Sequence, residues 1–208
     1  MSLVTFTKNA VADYASTAAI LPSSQQLARE MVRPLRCQDL KTVIEFGPGT
    51  GVITRELLRQ MPVDATLLAF EISEGFVSYL RETIRDERLQ IVRARAETAT
   101  EELRLRGISS ADAVVSSLGI CLMGQASADA IFPPLLPFLG GTGTLTQYQY
   151  LSRIRVHAGR VEYFSVRRYM TRHFHSVSTR FVWLNLPPAH VISCRGARAG
   201  DQLRPAAA

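Results

Sequence analysis

Between residues 42 and 150, short apolar runs alternate with amphipathic stretches. Thr42–Phe46, Thr66–Phe70, Leu89–Val92, Asp112–Ser116 and Gly143–Tyr150 are nearly continuous apolar segments of strand length. Thr50–Gln60, Ser73–Arg85, Thr98–Arg106 and Ser127–Leu136 lie between them and space their apolar residues as helices do. Strands that alternate with helices need right-handed crossovers, and strands apolar along their whole length are buried on both faces. The pattern predicts an α/β fold with a mostly parallel central sheet and helices on both sides.

The flanks read differently. Ser23 or Ser24 can cap a helix over Gln25–Leu35, with Leu27, Met31, Val32 and Leu35 on its apolar stripe. Residues 3–20, with Phe6, Tyr14 and Ile20, suggest an accessory helix or lid. Downstream, Val161–Phe174 reads as a basic amphipathic helix, and Thr179–Trp183 and His190–Cys194 read as strands joined through Asn185-Leu-Pro-Pro188. The Gly, Ala, Arg and Pro-rich tail is expected to be disordered. The resulting division is a helical lid or membrane-contact segment over 1–36, a catalytic domain over 37–195 and a tail over 196–208.

Composition narrows the class. With 208 residues, 47% hydrophobic and 20% charged, the chain suits one globular domain. It has neither a run long enough to span a bilayer nor a secretory signal, so a cytoplasmic location is expected. Cys37, Cys121 and Cys194 stand far apart and read as reduced core residues. His173 and His175 are the only close histidine pair, and no metal site is expected. Charge is uneven: residues 1–150 carry 14 Lys+Arg against 16 Asp+Glu, whereas residues 151–208 carry 10 against 2. A basic C-terminal part on a near-neutral body points to an anionic partner.

The chemistry sits after the first strand, in Glu45-Phe-Gly47-Pro48-Gly49-Thr50-Gly51. Small residues let a ligand lie on the backbone, and the following helix offers free N–H groups. A nicotinamide fingerprint would space its glycines G-x-G-x-x-G. Here the third glycine comes one residue early and an acid precedes the loop, which resembles motif I of S-adenosylmethionine-dependent methyltransferases. The second strand ends at Glu71, twenty residues past Gly51, where a carboxylate can accept ribose hydroxyls. The resemblance implies that Glu45, Gly47, Pro48, Gly49, Thr50, Gly51, Glu71 and Ile72 hold S-adenosylmethionine. It further assigns Ala96 and Glu97, after the third strand, to the adenine, and Ser116 and Ser117 to the methyl end.

Three further motifs narrow the resemblance: Thr17–Ser24, Ser116-Ser-Leu118 and Val182-Trp-Leu-Asn-Leu-Pro-Pro-Ala189. With Glu45–Gly51 they resemble the bacterial phospholipid N-methyltransferases, which convert phosphatidylethanolamine toward phosphatidylcholine. The likeness spans residues 5–195. Two positions depart from it: Ala18 stands where the family has Gly, and Ser116-Ser-Leu-Gly119 where it has Ser-Gly-Leu-Pro. The resemblance implies direct in-line methyl transfer to an ethanolamine headgroup by a class I, Rossmann-like enzyme associated peripherally with the inner face of the cytoplasmic membrane. Residues 3–16 and the Arg-rich segment 153–172 are the expected contacts with anionic lipid. Tyr148 and Tyr14 are the candidates for orienting the amine, through a hydroxyl or ring face.

The alternative is methylation of nucleic acid, as by ribosomal RNA adenine dimethylases. Those enzymes carry an Asn-Leu-Pro-Tyr-like segment after the fourth strand, in which an aromatic stacks on the flipped base. Here that slot holds Ser116–Gly119, and Asn185-Leu-Pro-Pro188 comes 67 residues after Leu118, so it reads as a turn. Glu71 and the complete glycine set argue against a noncatalytic module that merely keeps the fold.

Overall fold

The computed structural model describes residues 24–150, 154–157, 160–185 and 187–198. Ser24 caps α1 (Gln25–Val32), its Oγ accepting from the Leu27 N–H at 3.1 Å. Then follow β1 (Thr42–Phe46), α2 (Val52–Gln60), β2 (Thr66–Phe70), α3 (Glu74–Thr83), β3 (Leu89–Val92) and α4 (Ala99–Leu105). The second half runs β4 (Ala113–Ser116), α5 (Ile120–Met123), α6 (Gln125–Leu139), β5 (Thr144–Tyr150), β6 (Ile154–His157), β7 (Arg160–Tyr163), α7 (Val166–His173), β8 (Phe174–Val182) and β9 (Ala189–Ala197).

Seven strands form one sheet in the order β3-β2-β1-β4-β5-β9-β8, and β6 and β7 form a separate hairpin. The strands from β3 through β5 are parallel, and β9 runs antiparallel to both of its neighbours. The chain order reverses beside β1, where β2 lies on one side and β4 on the other. That is the switch point at which α/β sheets open a crevice beyond their carboxyl ends. The doubly covered parallel sheet is the architecture that the alternating pattern predicts.

Each strand face has its own core. Val43, Leu67, Ala113 and Val115 pack under α1 and α2 with Leu27, Met31, Ile53 and Leu57. On the other face, Ile44, Phe46, Leu68, Val114 and Leu145 pack under α4, α6 and α7 with Leu103, Phe132, Leu135 and Tyr169. Cys37, Cys121 and Cys194 are all buried in these two cores. Asp112 ties the strand starts together, its Oδ2 accepting from the N–H groups of Lys41 and Thr42 at 2.7 and 2.8 Å.

Three boundaries differ from the sequence reading. The basic helix is shorter than Val161–Phe174: Arg160–Tyr163 is a strand, and Ser165 starts α7 by accepting from the Arg168 N–H at 3.3 Å. β8 begins at Phe174 rather than Thr179, because its outer residues are polar and hide the alternation. β9 continues through Gly196 to Ala197, which pairs with Phe174, so the ordered sheet runs past residue 195. Tyr14, Ala18 and residues 1–23 of the expected 1–36 lid segment lie outside the described residues, as do residues 199–208.

Candidate active site

The carboxyl ends of β1, β2, β4 and β5 bring the sequence-predicted residues together. The loop leaving β1 holds Gly47, Gly49 and Gly51 at φ +68°, +54° and +77°, a left-handed backbone that only glycine adopts without strain. Two of the three play separate packing roles. A Cβ on Gly51 would lie 2.7 Å from Leu80 Cδ2 and 2.9 Å from Ile84 Cδ1, so this glycine lets α2 start against α3. A Cβ on Gly49 would meet nothing within 4 Å; its side faces open space over the crevice.

Glu71 follows β2 and is almost fully buried. Its Oε2 accepts from the Gly49 N–H at 3.2 Å and its Oε1 from the Ser73 N–H at 2.9 Å. Burial raises its pKa, and the N–H groups of Ser73 and Gly49 oppose that rise. The carboxylate thus anchors the glycine loop and keeps lone pairs free for another donor. Ile72, next in sequence, is 59% exposed beside it, an apolar side chain offered to the crevice.

Glu45, the penultimate residue of β1, is fully buried, and neither carboxyl oxygen has a hydrogen-bond partner. Burial pushes its pKa up to about 8; the Thr54 hydroxyl on α2 works against that shift and the Glu71 charge adds to it. A buried acid that only the Thr54 hydroxyl approaches is protonated unless a cation comes near. Pro48 and Thr50 complete the loop, and the Gly51 N–H donates to the Pro48 carbonyl at 2.8 Å.

Ala96 and Glu97 open a single 3-10 turn after β3. Ala96 packs toward the core, and Glu97 Oε1 accepts from Arg95 Nη2 at 2.8 Å. Ser116 ends β4 with its side chain buried, while the Ser117 N–H donates to the Phe46 carbonyl at 2.9 Å. Ser117 Oγ is buried without a hydrogen-bond partner, and its Cβ lies 3.8 Å from the place a Cβ on Gly47 would occupy. The post-β4 loop therefore leans directly on the glycine loop. Tyr148 lies one residue beyond Gln147, the partner of Ser116, and so projects past the end of β4. Its ring meets Tyr150 edge-on at 5.2 Å between centroids.

Two features were not foreseen. Gln147 is buried and donates through Nε2 to the Leu118 carbonyl at 2.8 Å and the Tyr148 carbonyl at 2.6 Å, fastening the post-β4 loop to β5. A signal was present: strand periodicity sets Gln147 on the same face as Leu145, where a polar side chain must find a partner. The second is Asn185, buried, with Oδ1 accepting from the Ser24 N–H at 2.9 Å and Nδ2 donating to the Pro187 carbonyl at 2.8 Å. The turn itself was expected from the sequence; the bond by which Asn185 clamps it to Ser24 was not.

The site suits a cationic ligand with a hydroxylated sugar: an open backbone cradle at Gly49, an acceptor carboxylate at Glu71 and a buried acid at Glu45. A family model described as a methyltransferase domain matches residues 43–139. The chain carries a methyltransferase domain on a class I, Rossmann-like fold, with S-adenosylmethionine as its methyl donor. An ornithine lipid N-methyltransferase of Singulisphaera acidiphila is 29% identical over 182 residues, covering 87% of this methyltransferase and 89% of the relative. A ribosomal RNA small subunit methyltransferase A of Acaryochloris marina is 33% identical over 64 residues, covering only 31% of the methyltransferase and 23% of that protein. The solved structure of a precorrin-6y C5,15-methyltransferase from Geobacter metallireducens superposes with a TM-score of 0.60 at 14% identity, over 85% of this chain and 91% of that one. At that identity the likeness is one of fold. Among the described residues, no helix is long and apolar enough to cross a membrane, and no group of three or more His, Cys, Asp or Glu side chains could hold a metal.

Proposed function

We propose that this methyltransferase N-methylates the amine headgroup of a membrane lipid, with phosphatidylethanolamine, on the way to phosphatidylcholine, as its substrate. The observation that carries the reading is the extent of the lipid-methylating relative. Its similarity spans nearly the whole of both chains, whereas the similarity to the RNA-methylating relative stops at 31% of this one. Asn185 also argues for lipid over RNA, since both ends of its amide are engaged in holding a turn. The slot after β4 has no aromatic ring to stack on a base.

In this reading the Glu45–Gly51 loop holds the amino-acid end of S-adenosylmethionine, with Glu45 facing its positive charge. Glu71 takes the ribose hydroxyls, Ile72 covers the adenine, Ala96 and Glu97 border it, and Ser116 and Ser117 line the methyl end. When bound, the cofactor supplies an electrophilic sulfonium methyl that an amine nitrogen takes in one displacement, leaving S-adenosylhomocysteine. The chain's own part is to position the amine and exclude water. Tyr148 orients it from the end of β5 by hydroxyl and ring face, and an aromatic face also accommodates the methylated ammonium product. Tyr14 is a second candidate from the N-terminal segment. The amine arrives as an ammonium and loses a proton, to solvent or to a nearby base, before transfer. The protein works while peripherally bound to the cytoplasmic face of the membrane, with anionic lipid attracting the basic C-terminal part.

The test is incubation with methyl-labelled S-adenosylmethionine and separate vesicles containing phosphatidylethanolamine or an ornithine lipid, alongside ribosomal RNA. Label in phosphatidylethanolamine is the expected result. Label in the ornithine lipid alone would move the headgroup while keeping the lipid class, and label in RNA alone would overturn the proposal.

A further inference from the structure

Gln147 lies on β5 opposite Ser116, the last residue of β4, and is buried. Its amide group donates to carbonyls on two different elements of the site: Leu118, after β4, at 2.8 Å and Tyr148, on β5, at 2.6 Å. Leu118 in turn leans on the glycine loop, its Cδ2 lying 3.4 Å from where a Cβ on Gly47 would stand. One side chain therefore joins the segment against the glycine loop to the strand that carries Tyr148.

Neither element needs this amide for its own folding. The Leu118 carbonyl also accepts from the Ile120 N–H at 2.8 Å, and the Ser117 N–H donates to the Phe46 carbonyl at 2.9 Å. The post-β4 loop is thus closed on itself and on β1 without Gln147. Tyr148 is held in the sheet opposite Val191 of β9. The amide is also unfavourable in one respect: among the described residues, Gln147 Oε1 is buried without a hydrogen-bond partner. A buried acceptor left empty destabilises a fold, and an apolar side chain of the same length would avoid that. Departures from good packing of this kind gather at functional sites.

What the amide adds is a fixed separation. With it, the loop after β4 and the end of β5 move as one body; without it, each meets the crevice independently. Displacement at a methyl group requires donor and acceptor in line at about 3–3.5 Å, and a misplacement of about 1 Å can slow a reaction about a hundredfold.

We propose that Gln147 is a positioning residue for methyl transfer, locking the methyl end of the crevice at Ser116 and Ser117 to Tyr148, which orients the amine. This inference rests on the reading above for the places of the methyl group and the amine, and adds to it the side chain that sets the distance between them.

Gln147→Met keeps the length of the side chain and removes both donors. On the acceptor that the full-length wild-type protein labels, kcat should fall by between about tenfold and a hundredfold. KM for that acceptor and the dissociation constant of S-adenosylmethionine should stay within about twofold of wild type. A lowered melting midpoint with wild-type kcat in the folded protein overturns the proposal. So does a loss of cofactor affinity large enough to account for the lost turnover. Gln147→Glu, the conservative variant, restores a donor only as the neutral acid, which burial beside two carbonyls favours. Its turnover relative to wild type should therefore recover toward low pH, and a ratio independent of pH overturns the proposal. The NMR signal of the bound cofactor's labelled methyl group needs no acceptor. It should move in Gln147→Met, and a signal that stays in place removes Gln147 from the methyl end. The two levels separate cleanly. A moved signal in a protein that labels no lipid keeps Gln147 and removes the lipid reading. Labelled phosphatidylethanolamine at wild-type kcat in Gln147→Met does the reverse.

Discussion

The backbone N–H of Ser24 donates to Oδ1 of Asn185 at 2.9 Å, joining residues 161 apart in the chain. Ser24 of the upstream Pro-Ser-Ser and Asn185 of the downstream Asn-Leu-Pro-Pro-Ala thus meet in one contact. The same Ser24 caps α1 with its side chain, so one residue ends the entry segment, starts a helix and receives the β8–β9 turn.

Replacing Asn185 by alanine leaves the Ser24 N–H and the Pro187 carbonyl without their partner. We expect a loss of about 2 kcal/mol and a melting midpoint lower by roughly 5 °C. Affinity for S-adenosylmethionine should stay near wild type. Calorimetry and a thermal melt on the same sample check this: a normal midpoint with collapsed cofactor affinity would give Asn185 a role in the crevice instead of the turn.

Two glycines of the loop, Gly51 and Gly49, should respond differently to one methyl group. Gly51→Ala combines a left-handed backbone with contacts below 3.0 Å to Leu80 and Ile84, and should cost about 2 kcal/mol of stability. Gly49→Ala meets no atom and should lose only about 1 kcal/mol. Its methyl group nevertheless enters the space over the crevice, so cofactor binding should suffer more than folding. Melts and isothermal titrations of the two variants, compared side by side, give the answer.

Glu71→Ala removes the acceptor for Gly49 and Ser73 as well as the proposed ribose contact. Hydrogen bonds to a charged group are worth about 1.5–3 kcal/mol each. Cofactor affinity should therefore fall by at least about a hundredfold, an amount titration reads directly. An unchanged dissociation constant would remove Glu71 from the ribose.

Glu45 gives the fold a pH dependence with a definite sign. Its folded pKa is raised to about 8 from an unfolded value of 4.5, so in that window the folded protein holds a proton that the unfolded chain has released. Stability is unaffected by this group below pH 4.5, falls as pH rises toward 8, and stays lower by a few kcal/mol beyond it, roughly. Glu45→Gln should flatten this slope in denaturant titrations of the cofactor-free protein between pH 5 and 8. A cationic ligand favours the ionised acid, so binding of S-adenosylmethionine in the same window should release a proton, visible as a buffer-dependent binding enthalpy.

Tyr148→Phe keeps the ring against Tyr150 and deletes only the hydroxyl. Cofactor affinity should be unchanged and turnover lower by about tenfold, the effect of losing one orienting hydrogen bond. Normal turnover would leave the hydroxyl without an essential role.

Much of the site was legible because glycines at fixed spacing after an apolar strand encode a backbone conformation, and an acid at the end of the next strand encodes a position. Both are local signals. Gln147 and the Ser24–Asn185 bond were harder to read, since a partner 29 or 161 residues away leaves no local trace. The fold was clear wherever strands are buried on both faces. It blurred at β8, an edge strand whose residues 175–180 are mostly exposed, and at Arg160–Tyr163, where alternation was absorbed into the pattern of the adjoining helix.

The strand order carries a consequence for synthesis on the ribosome. Among the described strands β9 is the last to be made, yet it lies between β5 and β8. Until residues 189–197 emerge, the growing chain presents Thr144–Tyr150 as an open edge, rich in threonine and tyrosine and without charge. Such an edge invites pairing with other chains. Products truncated between residues 150 and 188 should accumulate as aggregates, and completion of β9 is the event that makes the sheet safe.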